Sequence, residues 1–277
     1  MIKVSGRIIK VEHYPDGTQK INLGFDPTEE SCHEITWLYE KEEELATLIY
    51  ITRHLRNSCG GRASISLKMP YLPNARMDRI HDRSEVFTLK AFAEVINWLD
   101  FSRVFVADVH SNVGAALLDR VEPMILTEVF DGLISWIDDK DLILYFPDAG
   151  AAKRYKDLVD DKKLPYCYGE KIRDWETGVI KGLEIRGMRD DFKGKTVLMI
   201  DDIISYGGSL YYSALKLKEL GVGKIYAYAT HTENSVLDPE KGTLIKLLRN
   251  GTIEKLYTTN SIYTGNEEKI EIAGDCK

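Results

Sequence analysis

The sequence predicts an α/β protein built from parallel β-sheets that are flanked by helices. Two observations carry this prediction. Short apolar segments such as 142–146 and 197–200 alternate with longer segments whose apolar residues recur at helical spacing, and uninterrupted apolar strands are typical of a parallel sheet covered on both faces. The chain has 277 residues, and because a domain usually contains roughly 100 to 200 residues, this length favours two domains.

The first forty residues predict a different, antiparallel arrangement. Apolar and polar residues are interspersed there, and the turn signal Pro15-Asp16-Gly17 precedes short strands at 21–25 and 35–39. Beyond this region the pattern predicts strands at 63–69, 104–107, 142–146, 197–200, 225–229 and 253–257, and helices at 42–56, 86–99, 115–118, 149–159 and 210–220. Since open parallel sheets bind ligands beyond the carboxyl ends of their strands, we expect the functional residues at those ends.

The composition favours a cytoplasmic enzyme. The net charge of -7 does not favour a nucleic-acid partner. No apolar run approaches the roughly 20 residues of a membrane span, and the N-terminus lacks the apolar segment of a signal peptide, so no membrane partner is expected. The four cysteines have neither the spacing of a zinc site nor that of a disulfide framework: Cys32, Cys59, Cys167 and Cys276.

The segment from Lys195 to Leu220 predicts a sugar-phosphate site. An apolar strand meets Asp201 and Asp202, and a short loop with Gly207 and Gly208 then leads into a helix. Glycine lets the backbone approach a phosphate closely, and the first N–H groups of a helix point at such an anion. The two carboxylates suit ribose hydroxyls or a metal-bridged diphosphate. The segment therefore predicts a ribose-5-phosphate pocket.

Polar clusters follow three further predicted strands. The strands at 63–69, 104–107 and 142–146 are followed by PYLPNARMDRIHDRSE, DVHSN and PDAGAAKR. Each cluster alone has a plainer interpretation: His110 as a hydrogen-bonded structural residue, Asp148 as a helix N-cap, and the charges between Arg76 and Arg83 as a solvated loop. Because all four clusters fall at equivalent strand ends, together they favour one site.

These motifs together resemble the ribose-phosphate diphosphokinases (phosphoribosyl pyrophosphate synthetases), a family built from two phosphoribosyltransferase-type α/β domains. PYLPNARMDR is similar to the family's Pro-Tyr-x-x-x-Ala-Arg-Gln-Asp-Arg, DVHS to Asp-Leu-His, PDAGAAKR to Pro-Asp-x-Gly-x-x-x-Arg, and DDIISYGGS to Asp-Asp-x-x-Asp-Thr-x-Gly-Thr. Weaker similarities are YPDGT near the start and TTNSI at 258–262. The motifs occur in family order, and they imply domains at 1–135 and 136–277, the first carrying most of the ATP site.

The resemblance implies a role for each cluster. ATP would be bound by Arg76, Asp78 and Arg79, with Tyr14 and Asp16 contributed by a neighbouring subunit of a homo-oligomer, a dimer or larger. The cofactor would be Mg²⁺, contacted directly or through water by His110 and Asp148. The ribose phosphate would be bound by Asp201, Asp202, Ser205, Tyr206, Gly207, Gly208 and Ser209. Lys171 and Arg173, in YGEKIRD, match the family's mobile cations that close over the transferring group, although the residues alone indicate only surface charges.

The sequence also departs from the family pattern. Thr18 and Met77 replace a glutamate and a glutamine of the ATP site, and Ser205 and Tyr206 replace an aspartate and a threonine of the phosphate loop. The larger Tyr206 offers a phenolic O–H or a stacking face, which raises an alternative acceptor, a larger ribose-5-phosphate derivative such as ADP-ribose. A phosphoribosyltransferase and a non-catalytic regulatory relative are two further alternatives. The favoured hypothesis is transfer of the ATP diphosphoryl group to ribose 5-phosphate.

Overall fold

The computed structural model describes residues 1–124, 126–173, 180–187 and 192–276, except for the side chains of Lys171, Arg173, Ile180 and Lys181. The chain forms two compact units, Met1–Ile125 and Leu126–Cys276. We propose these units as the two domains that the sequence predicts at 1–135 and 136–277. None of the helices within the described ranges has the length and apolarity that crossing a membrane requires.

The first unit is built on a mixed sheet. Its strands are β1 (Ile2–Val4), β2 (Arg7–Ile8), β3 (Val11–His13), β4 (Gln19–Ile21), β5 (Cys32–Trp37), β6 (Ser64–Lys68), β7 (Val104–Ala107) and β8 (Val121–Met124). Six of them form one sheet in the order β2-β1-β5-β6-β7-β8. Strands β5 to β8 are parallel, whereas β1 is antiparallel to β2 and β5. The predicted antiparallel start is thus confirmed, with β3 and β4 forming a separate hairpin.

The helices of the first unit cover an apolar core. They are α1 (Glu44–Ser58), α2 (Thr88–Trp98) and the short α3 (Asn112–Leu117). Helix α1 buries Leu48, Ile51 and Leu55, which share one face at helical spacing. These residues belong to the same core as Ile65 and Leu67, which alternate with more exposed residues along β6. The unit is therefore held together by one apolar cluster.

The second unit contains a seven-stranded sheet. Its strands are β9 (Leu142–Phe146), β10 (Tyr166–Arg173), β11 (Ile180–Gly187), β12 (Thr196–Ile204), β13 (Lys224–Thr232), β14 (Lys255–Thr259) and β15 (Ile270–Gly274). Its helices are α4 (Thr127–Ile137), α5 (Ala149–Arg154), α6 (Lys156–Lys162), α7 (Gly208–Glu219) and α8 (Leu244–Arg249). The order is β11-β10-β9-β12-β13-β14-β15. All neighbouring pairs are parallel except β10 with β11.

Successive residues of β9 point to opposite faces of this sheet. Ile143 and Tyr145 join a core that includes apolar residues of α7 and α8, whereas Leu144 and Phe146 join a second core with residues of α4, α5 and α6. Both faces are therefore flanked by helices, and the predicted α/β fold class is confirmed. The antiparallel pairing of β10 with β11 is the departure from the parallel sheet that was predicted for this part of the chain.

Several element boundaries differ from the prediction. The helix predicted at 149–159 is two helices, because the chain turns at Tyr155 (φ -93°, ψ 16°), whose ring stacks on Phe146 with centroids 5.7 Å apart. The strand predicted at 197–200 continues to Ile204, since β12 keeps pairing with β13 to that point. The elements that the prediction omitted are β8, β10, β11, β15, α4 and α8.

Candidate active site

A glycine turn joins β12 to α7. Gly207 is the N-cap of α7 with a φ of 85°, a left-handed conformation that favours glycine, and a Cβ there would clash with Leu244. A Cβ added at Gly208 would meet nothing within 4 Å. Ser209 follows, and its carbonyl oxygen accepts the hydroxyl of Ser213 at 2.8 Å. An anion can therefore approach the first N–H groups of the 12-residue α7.

Hydrogen bonds from neighbouring segments hold this turn in place. The carbonyl oxygen of Tyr206 accepts both the backbone N–H of Thr243, at 2.9 Å, and its hydroxyl, at 3.0 Å. Ser205 Oγ lies 3.2 Å from Ser235 Oγ, and Ser235 Oγ donates to Glu233 Oε2 at 3.1 Å. The backbone of the turn is thus fixed before any ligand binds, which is what preorganised anion binding requires.

The side chain of Tyr206 lies at the surface of the turn. It is 39% exposed, and Lys241 Nζ lies 5.9 Å from the centroid of its ring, within the range of a cation–π contact. The backbone carbonyl of Tyr206 is held by Thr243, which places the ring beside the turn. The turn is therefore bordered by an aromatic ring and a cation.

Two carboxylates lie beside the turn, inside β12 rather than after it as the sequence predicts. Asp202 is 3% exposed, and its Oδ1 lies 2.6 Å from Arg154 Nη1 of α5. Asp201 Oδ1 accepts the backbone N–H of Asp202 at 2.9 Å. Burial and the adjacent carboxylate of Asp202 raise the pKa of Asp201 well above its usual range. One carboxylate is thus neutralised by arginine, while the other is biased toward its protonated form.

Arg154 is the residue of this arrangement to which the sequence analysis gave no role. Arg154 is the last residue of the PDAGAAKR motif, and its position in that motif is the signal in the sequence that could have indicated a role for it. Strand β9, which precedes the motif, pairs in parallel with β12. Because the carboxyl ends of parallel neighbours lie at the same edge of the sheet, residues that follow β9 reach the acidic pair in β12.

Asp148 is the N-cap of α5. Its Oδ1 accepts the backbone N–H of Ala151 at 2.8 Å, and its side chain is exposed. The N-cap interpretation that the sequence left open is therefore confirmed. Across the described ranges, no group of three or more histidine, cysteine, aspartate or glutamate residues is arranged to hold a metal ion. Metal binding by Asp148 stays a prediction.

In the first unit, the loop after β6 carries Asp78 and Arg79, and His110, which follows β7, interacts electrostatically with Asp78. Asp78 is 9% exposed and is held by Arg79 through two hydrogen bonds, from Nε at 2.7 Å and from Nη2 at 3.1 Å. The Arg79 contact is the main cause that lowers the pKa of Asp78, and Ser111 and His110 add to it. Arg76 is exposed on the same loop.

Tyr14 and Asp16 lie at the tip of the β3–β4 hairpin. The turn is closed by the N–H of Gly17, which donates to the carbonyl of Tyr14 at 2.9 Å, and Asp16 Oδ1 accepts the hydroxyl of Thr18 at 2.7 Å. This hydrogen bond lowers the pKa of Asp16. Tyr14 is 52% exposed. The hairpin therefore presents an aromatic ring and a carboxylate to solvent.

The predicted catalytic cations lie on β10. The backbone of Lys171 pairs with Leu183 of β11, and that of Arg173 pairs with Ile180. The side chains of Lys171 and Arg173 lie outside the described part of the chain, so their catalytic role stays a prediction.

The sheet, the glycine turn and the acidic pair in β12 define a phosphoribosyltransferase-type α/β protein. No family model matches the chain. The chain is 29% identical over 267 residues to the ribose-phosphate pyrophosphokinase of Bacillus subtilis, covering 94% of this chain and 79% of that protein. It is 27% identical over 263 residues to the enzyme of that name from Thermococcus kodakarensis, covering 92% of this chain and 86% of the relative.

A solved structure shows the same fold. The phosphoribosylpyrophosphate synthetase from Mycobacterium smegmatis superposes with a TM-score of 0.73 over 96% of this chain and 86% of that one, at 20% sequence identity. The sequence matches to the ribose-phosphate pyrophosphokinases over nearly the whole chain and this shared fold agree with the resemblance that the sequence motifs indicate.

Proposed function

We propose that the protein transfers the diphosphoryl group of ATP to the C1 hydroxyl of ribose 5-phosphate, giving phosphoribosyl pyrophosphate and AMP. The observation that carries this proposal is the turn before α7, where Gly207 is fixed and the backbone at Gly208 is open. The open N–H groups suit the 5-phosphate. Asp201 and Asp202, in the strand that leads into this turn, suit the ribose hydroxyls. The relatives named ribose-phosphate pyrophosphokinase support the same reaction.

The first unit would bind ATP. Arg76 and Arg79 offer guanidinium groups to its phosphates, and Arg79 is oriented by its two hydrogen bonds to Asp78. Tyr14 is exposed at the tip of a hairpin, where a ring and a carboxylate can complete the ATP site of a neighbouring subunit. This position supports a homo-oligomer.

We propose His110 in the first unit and Asp148 in the second as magnesium contacts, each considered within its own unit. Asp148 is exposed and uses Oδ1 for one helix N–H, and a carboxylate has further lone pairs for a cation. Such a sparse donor set fits Mg²⁺, which takes few protein ligands and keeps several waters. When bound, Mg²⁺ would supply positive charge that offsets the negative charge of the phosphate groups. Lys171 and Arg173 would stabilise the negative charge of the transferring group and exclude water.

A second acceptor is favoured by the surroundings of Tyr206. Its half-exposed ring and the cation of Lys241 lie together beside the phosphate turn. A substrate that extends beyond the 5-phosphate, such as ADP-ribose, would find a stacking face for its adenine and a cation for its second phosphate. Plain ribose 5-phosphate has no aromatic group that would stack on this ring.

Incubation with ATP, Mg²⁺ and either ribose 5-phosphate or ADP-ribose, followed by mass spectrometry, tests these proposals. We expect AMP together with a diphosphorylated acceptor. Product from ribose 5-phosphate alone excludes the ADP-ribose proposal, and product from ADP-ribose alone replaces the first acceptor with the second. AMP release without a nucleobase excludes a phosphoribosyltransferase. Binding of ATP without release of AMP in the presence of either acceptor contradicts both proposals and identifies a non-catalytic relative.

A further inference from the structure

Cys59, His33 and Glu30 are arranged in series beside a cleft of the first unit. Cys59 Sγ lies 3.9 Å from His33 Nε2, and His33 Nδ1 lies 3.6 Å from Glu30 Oε2. The cleft, of about 450 Å³, is lined by Cys59 and Glu30 together with Glu29 and Arg62. A thiol beside an imidazole that is oriented by a third group is the arrangement of an assisted cysteine nucleophile.

The hydrogen bonds around His33 fix its ring. The side chain is fully buried, and Nε2 lies 3.1 Å from the carbonyl oxygen of Pro27. Because a carbonyl only accepts, Nε2 carries a proton. The thiol of Cys59 donates to the same oxygen at 3.3 Å. When this thiol loses its proton, the Nε2–H group is therefore placed to donate to the sulfur anion instead.

Glu30 is itself held in place. Ser5 Oγ donates to Glu30 Oε2 at 2.8 Å, so the carboxylate oxygen nearest His33 has a defined position. Ser5 Oγ also lies 3.4 Å from His33 Nδ1, so Ser5 and Glu30 together border the Nδ1 side of the ring, while Nε2 faces Cys59.

The other cysteines lack this environment. Cys32 is exposed and lies 3.9 Å from the hydroxyl of Ser31. Cys167 is buried, and burial raises the pKa of its thiol to about 12. Cys276 is also fully buried. Exposure alone therefore predicts that Cys32 reacts first, whereas assistance by His33 predicts that Cys59 does.

The cleft is separate from the proposed ATP site. Glu30 and Ser31 precede β5, and Arg62 and Ala63 precede β6, so the cleft lies at the amino ends of two parallel strands. Arg76, Asp78 and Arg79 follow the carboxyl end of β6. A strand of 5 residues is about 17 Å long, which separates Cys59 from those residues.

We propose that Cys59 is a reactive thiol that forms a mixed disulfide with small, cationic disulfides. The Cys59 sulfur anion attacks one sulfur of the reagent, a new S–S bond forms, and the reagent's S–S bond breaks. The leaving thiolate takes up the proton that Cys59 gave up, so the Cys59 sulfur is formally oxidised by one electron and the leaving sulfur of the reagent is reduced by one. Glu29 and Glu30 outnumber Arg62 in the cleft, which favours a cationic reagent.

Cystamine, a small disulfide with two amines, provides the probe for the full-length protein. Time-resolved peptide mapping by mass spectrometry would follow one cysteamine adduct at each cysteine. We expect Cys59 to react several-fold faster than Cys32, and faster with cystamine than with the dianionic 3,3′-dithiodipropionate. If Cys32 reacts first, or the anionic disulfide reacts faster at Cys59, the proposal is overturned.

Two variants, Glu30→Gln and Glu29→Gln, distinguish the effect of the His33–Glu30 contact on Cys59 from the effect of the net charge of the cleft. Both remove one negative charge from the cleft, but only Glu30 lies against His33. A hydrogen bond to a charged group exceeds a neutral one by about 1 kcal/mol, so we expect Glu30→Gln to slow Cys59 roughly fivefold more than Glu29→Gln does. Reaction at Cys32 provides the internal reference, and equal Cys59 rates in the two variants contradict the role of His33 and Glu30.

Discussion

Arg154 Nη1 lies 2.6 Å from Asp202 Oδ1, and this ion pair joins α5 to the strand that carries the acidic pair. The side chain of Asp202 is 4% exposed and that of Arg154 is 26% exposed, so solvent screens the pair only weakly. The adjacent Asp201 experiences both charges, since Asp202 raises its pKa and Arg154 lowers it. Arg154 therefore offsets part of the negative charge of the acidic pair.

Arg154→Met is expected to destabilise the protein by about 3 kcal/mol, because it leaves the carboxylate of Asp202 buried without its cation. Urea-induced unfolding measures this change. Lys153→Met is the matched control, since Lys153 is exposed in the same helix, and such surface changes usually stay within about 0.5 kcal/mol. Adding Asp202→Asn to Arg154→Met should recover part of the loss, and no recovery would contradict the importance of the pair.

Asp201→Asn is expected to stabilise the protein at neutral pH. Because burial raises the pKa of Asp201, the native state holds a proton that the unfolded state has already lost, and stability falls as the pH rises from the usual aspartate pKa through the raised one. Asparagine does not titrate. The gain should therefore vanish below the usual aspartate pKa, as unfolding free energies measured across the pH range would show.

Asp139→Asn provides a control, because its expected change in stability at neutral pH has the opposite sign to that of Asp201→Asn. Asp139 Oδ2 accepts the hydroxyl of Thr196 at 2.5 Å, and this hydrogen bond lowers the pKa of Asp139. Its contribution to stability is present above the usual aspartate pKa and is lost as the pH falls. We expect Asp139→Asn to destabilise at neutral pH, and a change of the same sign in both variants would contradict the assigned environments.

The glycine turn was predictable from sequence because its determinants are local. Gly207 and Gly208 lie between an apolar strand and a helical pattern, and the left-handed φ of Gly207 is the conformation that glycine supplies. The Arg154–Asp202 pair depends instead on β9 and β12 being neighbours, which strand order alone decides. Local sequence carries no information on that order, so the role of Arg154 was missed.

The elements that the prediction omitted have weak local patterns. Strand β8 contains Pro123 and buries none of its four residues fully, so neither alternation nor an apolar run marks it. The Cys59–His33 contact joins residues from α1's C-cap and β5. It is likewise set by packing, and the spacing of the cysteines gave no indication of it.

Gly207→Ala and Gly208→Ala should separate folding from binding. The first places a Cβ against Leu244 at a φ of 85°, so we expect a loss of about 2 kcal/mol in thermal or urea unfolding. The second meets nothing within 4 Å and should leave stability unchanged, while its methyl group weakens ribose-phosphate binding, as calorimetric titration would measure. Equal affinity of Gly208→Ala and wild type would remove this turn from the phosphate site.

Lys171→Ala is expected to lower AMP production from ATP and acceptor by about 10²- to 10³-fold, because the transferring diphosphoryl group loses a cation that meets its developing charge. Urea-induced unfolding of the variant shows whether any loss of activity reflects a loss of stability. Lys156→Ala, at an exposed position of α6, removes the same charge elsewhere and controls for net charge. Coupled detection of AMP measures both rates. Unchanged turnover in Lys171→Ala would exclude Lys171 from catalysis, while equal losses in both variants would indicate a general effect of protein charge.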